Sequence, residues 1–234
     1  MHRARRLATV ALAASLAAAG LAGCRSAPSV AAYVGQDRIS EDRVSAVYEE
    51  ARANAAGQES PAIKRQDVVD TLVGLDVLRE IARQRGLSPT ALNADQVAQA
   101  IGVKANAEYV RLYSEYRGLL NAVGSGAKPA QPTAADLRDV YNRLTAGGAN
   151  PNGATFEQFS TGITDTDRQT LAQNIGLRND LQPQIAKLNT VVNPKYSAPE
   201  LPLVSTQGPN GQELPLVVLS FAPSQGKPPV VDVP

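Results

Sequence analysis

The sequence predicts a mainly α fold that carries a small β-sheet. Three observations lead there. Aliphatic residues recur at helical spacing in run after run between residues 40 and 188, each opened by an N-cap residue or closed by glycine. β-type runs occur only at the two ends of that region. Aromatics are scarce, with seven Tyr, three Phe and no Trp, while Ala, Val and Leu abound, a composition suited to helices packed through small side chains.

Taken in order, Val30–Gly35 reads as a strand ending in the turn Gly35-Gln36-Asp37. Ser40 is an N-cap, Glu41 and Asp42 suit the positive end of a helix dipole, and Val44, Val47, Tyr48 and Ala51 share a face. Asn54–Ala62 is a loop. Gln66–Arg85 reads as a long helix with an apolar stripe from Val68 to Ala82, and Gly86 is its natural stop. A short helix spans Ala94–Ile101 behind the cap Asn93. Lys104–Val123 reads as helix, with Tyr109, Leu112, Tyr113, Tyr116 and Leu120 on one side. Gly124–Pro132 has the composition of a flexible linker. Thr133 and Asp136 form a capping box for the next helix. Thr155–Gly162 is a short helix, and Asp165–Leu188 is one or two helices with a possible bend at Pro183. The β-type runs TVVNPKY, LPLVS and LPLVVLSF follow, the last two separated by the turn-rich Thr206–Gln212. A lone strand is marginal in water. The N-terminal strand is therefore expected to pair with the C-terminal β segment, around Leu214–Phe221. Residues 223–234 are Pro-rich and read as a disordered tail.

The first residues have a different character. Arg3, Arg5 and Arg6 precede an uncharged apolar run, Leu7–Leu21, which is too short to span a membrane. Leu21-Ala22-Gly23-Cys24 resembles a bacterial lipobox. That resemblance implies cleavage after residue 23 and acylation at Cys24. The chain would then be lipid-anchored on the extracytoplasmic face of the cell membrane, with residues 24–29 as its tether. Two or three acyl chains give stable anchoring where one does not.

The mature chain would keep 20 of the 23 basic residues against 22 acids, a balance that calls for neither nucleic acid nor an anionic surface. The single histidine, His2, and the single cysteine, Cys24, both lie in the leader or at its edge. His-dependent nucleophilic catalysis and His-ligated zinc are excluded for the mature chain. No phosphate-binding glycine loop or calcium-loop spacing is present. The expectation is a protein that is not an enzyme and uses no cofactor, metal or nucleotide.

Val34-Gly35-Gln36-Asp37-Arg38-Ile39-Ser40, and the pattern from Val69-Asp70-Thr71-Leu72-Val73 through Leu78 and Ala82 to Gly86-Leu87, resemble the N-terminal helical domain of SurA-like periplasmic chaperones and PrsA-like foldases. LNADQV stands where that family starts a further helix. Leu177–Leu181 and Val191–Tyr196 look like the tail of actinobacterial lipoproteins of the same group. The match covers roughly residues 34–97 well and the rest loosely. Two core positions depart from it: the family's turn glycine dipeptide is altered, and Gly74 lies inside the long helix. The family's foldases insert a histidine-bearing parvulin domain, for which this chain has only the linker at 124–132.

The resemblance implies a SurA-type domain at 30–123, followed by helices and a β segment at 133–222 that pack on it. It also implies non-catalytic holding of unfolded or exported polypeptides. The alternative is a structural or adaptor lipoprotein with one envelope partner. Tyr109, Tyr113 and Tyr116, at i, i+4 and i+7, are candidates for a client-binding wall, or else a helix face packed on its own core. Asn193-Pro194-Lys195-Tyr196 is either a recognition loop or a turn that shapes the C-terminal strands. Acid pairs at Asp37/Glu41/Asp42 and Asp165/Asp167 sit at helix starts, where acids are expected anyway.

Overall fold

The computed structural model describes residues 29–56, 63–150 and 153–222. Cys24, the leader, the tether up to residue 28 and the tail 223–234 lie outside the described residues. The fold is mainly helical with small antiparallel sheets. In chain order the elements are β1 (Val30–Val34), β2 (Asp37–Ser40), α1 (Glu41–Ala53), α2 (Arg65–Arg85), α3 (Ala94–Ile101), α4 (Glu108–Gly124), α5 (Ala134–Ala146), α6 (Phe156–Gly162), α7 (Asp165–Lys187), β3 (Val191–Val192), β4 (Glu200–Gln207) and β5 (Glu213–Ser220).

Local chemistry sets most helix ends. The Ser40 side chain accepts a hydrogen bond from the Arg43 amide at 3.1 Å, and Asn93 does the same for Gln96 at 3.0 Å. Thr133 and Asp136 form the reciprocal capping box. Gly86 ends α2 in the left-handed region (φ 65°), which a side chain would disfavour. α7 is one helix with Pro183 inside it.

α4 starts at Glu108, four residues later than the sequence suggests. Lys104–Ala107 forms a turn tied to α1 through the bond from the Lys104 amide to the Asn54 carbonyl (2.8 Å). The Glu108 amide is received by the Glu50 carboxylate of α1 at 3.1 Å, so a residue 58 positions away takes the place of a local cap.

The N-terminal strand joins the C-terminal β runs as expected, but through Val191–Val192 and not through Leu214–Phe221. β1 is the centre of a three-stranded antiparallel sheet in the order β2-β1-β3. Tyr33 stands opposite Arg38 on one side and Val191 on the other. The reason is proximity along the chain and in space. β2 returns through the tight turn at Gly35 (φ 60°), and the end of α7 delivers β3 to the free edge, where the Leu188 carbonyl accepts the Gly35 amide at 2.8 Å. β4 and β5 pair with each other from Glu200↔Ser220 to Gln207↔Glu213.

β1 is riveted at its start. The Ser29 carbonyl accepts the Glu41 amide (2.9 Å), Arg38 donates to the Ser29 hydroxyl (3.0 Å), and Asn193 donates to the carbonyls of Val30 and Ala31 (2.9 and 2.8 Å). Asn193 also accepts from the Lys195 amide, so the Asn193–Tyr196 segment shapes the chain after β3. Lys195 and Tyr196 both reach Glu41, at 2.7 and 2.9 Å.

The main core joins α1, α2 and α4 to the sheet. Gly74 explains itself here. A Cβ at this position would lie 2.5 Å from the Tyr116 ring and 3.0 Å from the Phe221 ring, so the missing side chain makes the space that both aromatics fill. A second, smaller core holds Leu137, Val140, Leu171, Ile175 and Val217. The β4–β5 hairpin serves both. Leu201, Leu219 and Phe221 enter the main core, and Val217, Val204 and Leu216 enter the smaller one.

Gln182 of α7 clamps the end of β5 by donating to the Ser220 carbonyl and accepting from the Ser220 amide. Arg85 of α2 pairs with Asp180 of α7 at 2.9 Å. The stretch read as a flexible linker is docked: the Ala130 amide donates to the Ala172 carbonyl (2.8 Å), and the Lys128 carbonyl lies where a Cβ on Gly176 would have to go.

Candidate functional site

Among the cavities of the described residues, two lie where helices meet the hairpin. The first lies between α2, α3, α4 and the start of β4, and holds about 320 Å³. All three candidate tyrosines line it, together with Asp67, Asp70 and Thr71 of α2, Ile101 of α3, and Glu200 and Leu201 of β4. The tyrosine stripe is not an exposed wall. Tyr109 and Tyr116 are 4% and 5% exposed and belong to the main core, and Tyr113 is half-buried beside them. Adjacent rings lie 6.0 Å apart, and Tyr116 meets Phe221 edge-on at 6.3 Å. The spacing i, i+4, i+7 therefore serves core packing first, and the ring edges reach the cavity from inside.

The polar groups here are poorly matched to one another. Tyr109 shares a 3.3 Å hydrogen bond with Thr71. Asp67 caps α2 by accepting the Lys64 amide at 2.7 Å. Asp70 accepts only from the Gln66 amide nitrogen, at 2.6 Å, among the described residues. Burial pushes the Asp70 carboxyl up to about 7, Gln66 opposes that shift, and the charges of Asp67 and Glu200 add to it. Burial also raises Tyr109 and Tyr116 well above the ordinary phenol range. Sequence reasoning found the tyrosines but missed Asp70. Its signal is an acid set between the apolar pairs Val68-Val69 and Leu72-Val73 of α2.

The second cavity, about 410 Å³, opens between α5, α6, α7 and the hairpin. Val140, Leu144, Phe159, Ile163, Val204 and Leu216 make its apolar lining, and Asn150, Gln158, Asp167 and Thr170 its polar part. Leu144, Phe159, Ile163, Val204 and Leu216 are only half-buried, so apolar surface faces the opening. The cap Thr155 starts α6, and Phe156 and Phe159 stack around Tyr141 at 5.9 and 5.7 Å, which fixes one wall. Sequence reading identified these helices without the groove, because its lining comes from four separated segments.

Glu41, Asp42, Asp165 and Asp167 lie in first helical turns, as their dipole role requires, whereas Asp37 opens β2 and not a helix. Among the described residues no group of three or more His, Cys, Asp or Glu could hold a metal ion, and no helix is long and apolar enough to cross a membrane. A scan of protein-family models and searches of curated proteins and of solved structures found nothing that matches this chain.

Proposed function

We propose that this chain is a membrane-anchored extracytoplasmic lipoprotein of the SurA N-terminal type, which holds apolar segments of exported polypeptides without catalysis. The observation that carries this reading is the open apolar cavity on the small core. A cleft of that size, walled by half-buried Leu144, Phe159, Ile163 and Leu216, offers a wet apolar face to one or two side chains at a time. Weak contact of this kind suits holding and release, and no nucleotide is needed for it. On this reading the client surface is the α5–α7 cleft and not Tyr109, Tyr113 and Tyr116, which pack in or against the main core. The lipobox at Leu21–Cys24 supports the anchor.

The test is suppression of aggregation of several unrelated unfolded proteins by a molar excess of the purified chain, without ATP. The double substitution Ile163→Glu and Leu216→Glu is expected to abolish suppression. The thermal midpoint should stay close to that of the wild type, because both residues are partly exposed. A wild-type chain that protects no client, but recovers one folded envelope protein in crosslinking, would replace holding by the adaptor reading. The anchor is tested separately. Cys24→Ser is expected to abolish acyl labelling and move the protein from the membrane to the soluble fraction. Sedimentation of that variant with membranes in high salt would overturn the lipid anchor.

A further inference from the structure

We propose that the cavity between α2, α3, α4 and β4 binds a primary alkylammonium group, such as the side chain of a lysine. Four features of the cavity converge on this chemistry, and none of them bears on the apolar cleft, so this inference stands or falls independently of polypeptide holding.

The first feature is uncompensated negative charge. Asp67, Asp70 and Glu200 all line the cavity, and among the described residues none of them forms an ion pair with a lysine or arginine. Asp67 and Asp70 are half-buried, and charges drawn out of water are normally paired, whereas Glu200 is exposed and adds its charge at the rim. The second feature is a hydroxyl without a protein partner, carried on a buried ring. Tyr116 is 95% buried and lines the cavity, and its hydroxyl makes no hydrogen bond among the described residues.

The third feature is the shape of the acceptor set. The carboxylates do not converge as metal ligands would. Acceptors come instead from α2, from β4 and from the tyrosine hydroxyls of α4. An ammonium has three donors that point apart and can meet acceptors from several sides, whereas a guanidinium favours one carboxylate presented as a fork. The fourth feature is the wall. Tyrosine rings favour a nearby cation, and Ile63, Ala100, Ile101 and Leu201 offer an apolar track for a methylene stem.

The occupied site draws Asp70 into its charged form. The groups that face Asp70 are Gln66 and Asp67 from its own helix, Glu200 from β4, and the tyrosines from α4, with Ala100 and Ile101 of α3 apolar. Arg117, the base that acts on Tyr116, is outside the lining. An alkylammonium keeps its proton throughout the neutral range. Affinity should therefore rise with pH up to about 7, by up to tenfold per unit, and level off above it.

Calorimetric titration of the purified full chain at pH 8 tests this with four probes: N-acetyl-lysine methylamide, pentylamine, N-acetyl-norleucine methylamide and N-acetyl-arginine methylamide. Saturable binding of the lysine probe, with none by norleucine, is expected. Pentylamine binding as well as the lysine probe would place a free amine among the ligands; binding of the lysine probe alone would assign the site to polypeptide lysines. Asp70→Asn should weaken binding at least tenfold at pH 8 and flatten the pH profile. Tyr116→Phe, which keeps the ring against Gly74, should weaken it several-fold with an unchanged fold by circular dichroism. Equal binding of norleucine, tighter binding of the arginine probe, absence of saturation by both amines at millimolar concentration, or indifference to both substitutions would overturn the proposal.

Discussion

Phe221→Ala is expected to cost about 3–5 kcal/mol of stability. Phe221 is 1% exposed, and its ring fills the space that Gly74 leaves open beside Tyr116. Its removal would leave a void lined by a helix backbone and by an aromatic that is already tightly placed, so little collapse can compensate. Urea unfolding should show a lower midpoint with an unchanged slope. Phe221→Leu should lose less, because part of the volume stays. Truncation before Pro199 should be more damaging still, since Leu201, Leu219 and Phe221 leave the main core together, and Val217 leaves the smaller one. A truncated chain that unfolds at the wild-type midpoint would show that the hairpin is an ornament on a self-sufficient helical domain.

Asp70→Asn is expected to act in the opposite direction, and only above acid pH. Burial pushes the folded carboxyl up to about 7, from an ordinary carboxylate value of 3.8. Between those values the native state holds a proton that the unfolded chain has lost. Stability therefore falls as pH rises through that window, and the full cost of the charge is felt above 7. Asp70 is partly open to solvent, which screens the cost to about 1–3 kcal/mol. Asparagine keeps an oxygen for the 2.6 Å bond from Gln66 while removing the charge. The variant should thus melt higher than the wild type at pH 8 and close to it at pH 4. An equal gain at both pH values would mean that the carboxylate carries no unusual burden. A chain that retains such an acid forgoes stability at that position, as binding sites commonly do.

These two residues also mark where the sequence is legible and where it is not. Ser40, Asn93, Thr133 and Gly86 announce helix ends because a cap acts on amides within three residues of itself. The apolar stripe of α2 was legible for the same reason. The start of α4 was not, because Glu50 supplies its cap from another helix. Which of the C-terminal β runs pairs with β1 is not legible, because that depends on where α7 delivers Val191, a matter of helix length and direction. Gly74 looked like a flaw in a helix until two rings from distant segments met there. Of the candidate site, the tyrosines were visible as a stripe, but their burial was not. The acids that give their cavity its charge come from α2 and β4, 130 residues apart, and no local pattern joins Asp70 to Glu200.

The central position of β1 has a mechanical consequence. It is the first described strand, and it is bonded along both edges, to β2 and to β3. The rungs of an antiparallel ladder run across the strand. Traction applied at residue 29 along the strand axis must therefore shear both ladders at once and cannot peel them rung by rung. The bonds of Ser29 to Glu41 and Arg38, and of Asn193 to Val30 and Ala31, stand at the point where the load would enter. A molecule moored at that end would pass tension into two segments some 150 residues apart in the chain, the α1 start and the α7–β3 junction.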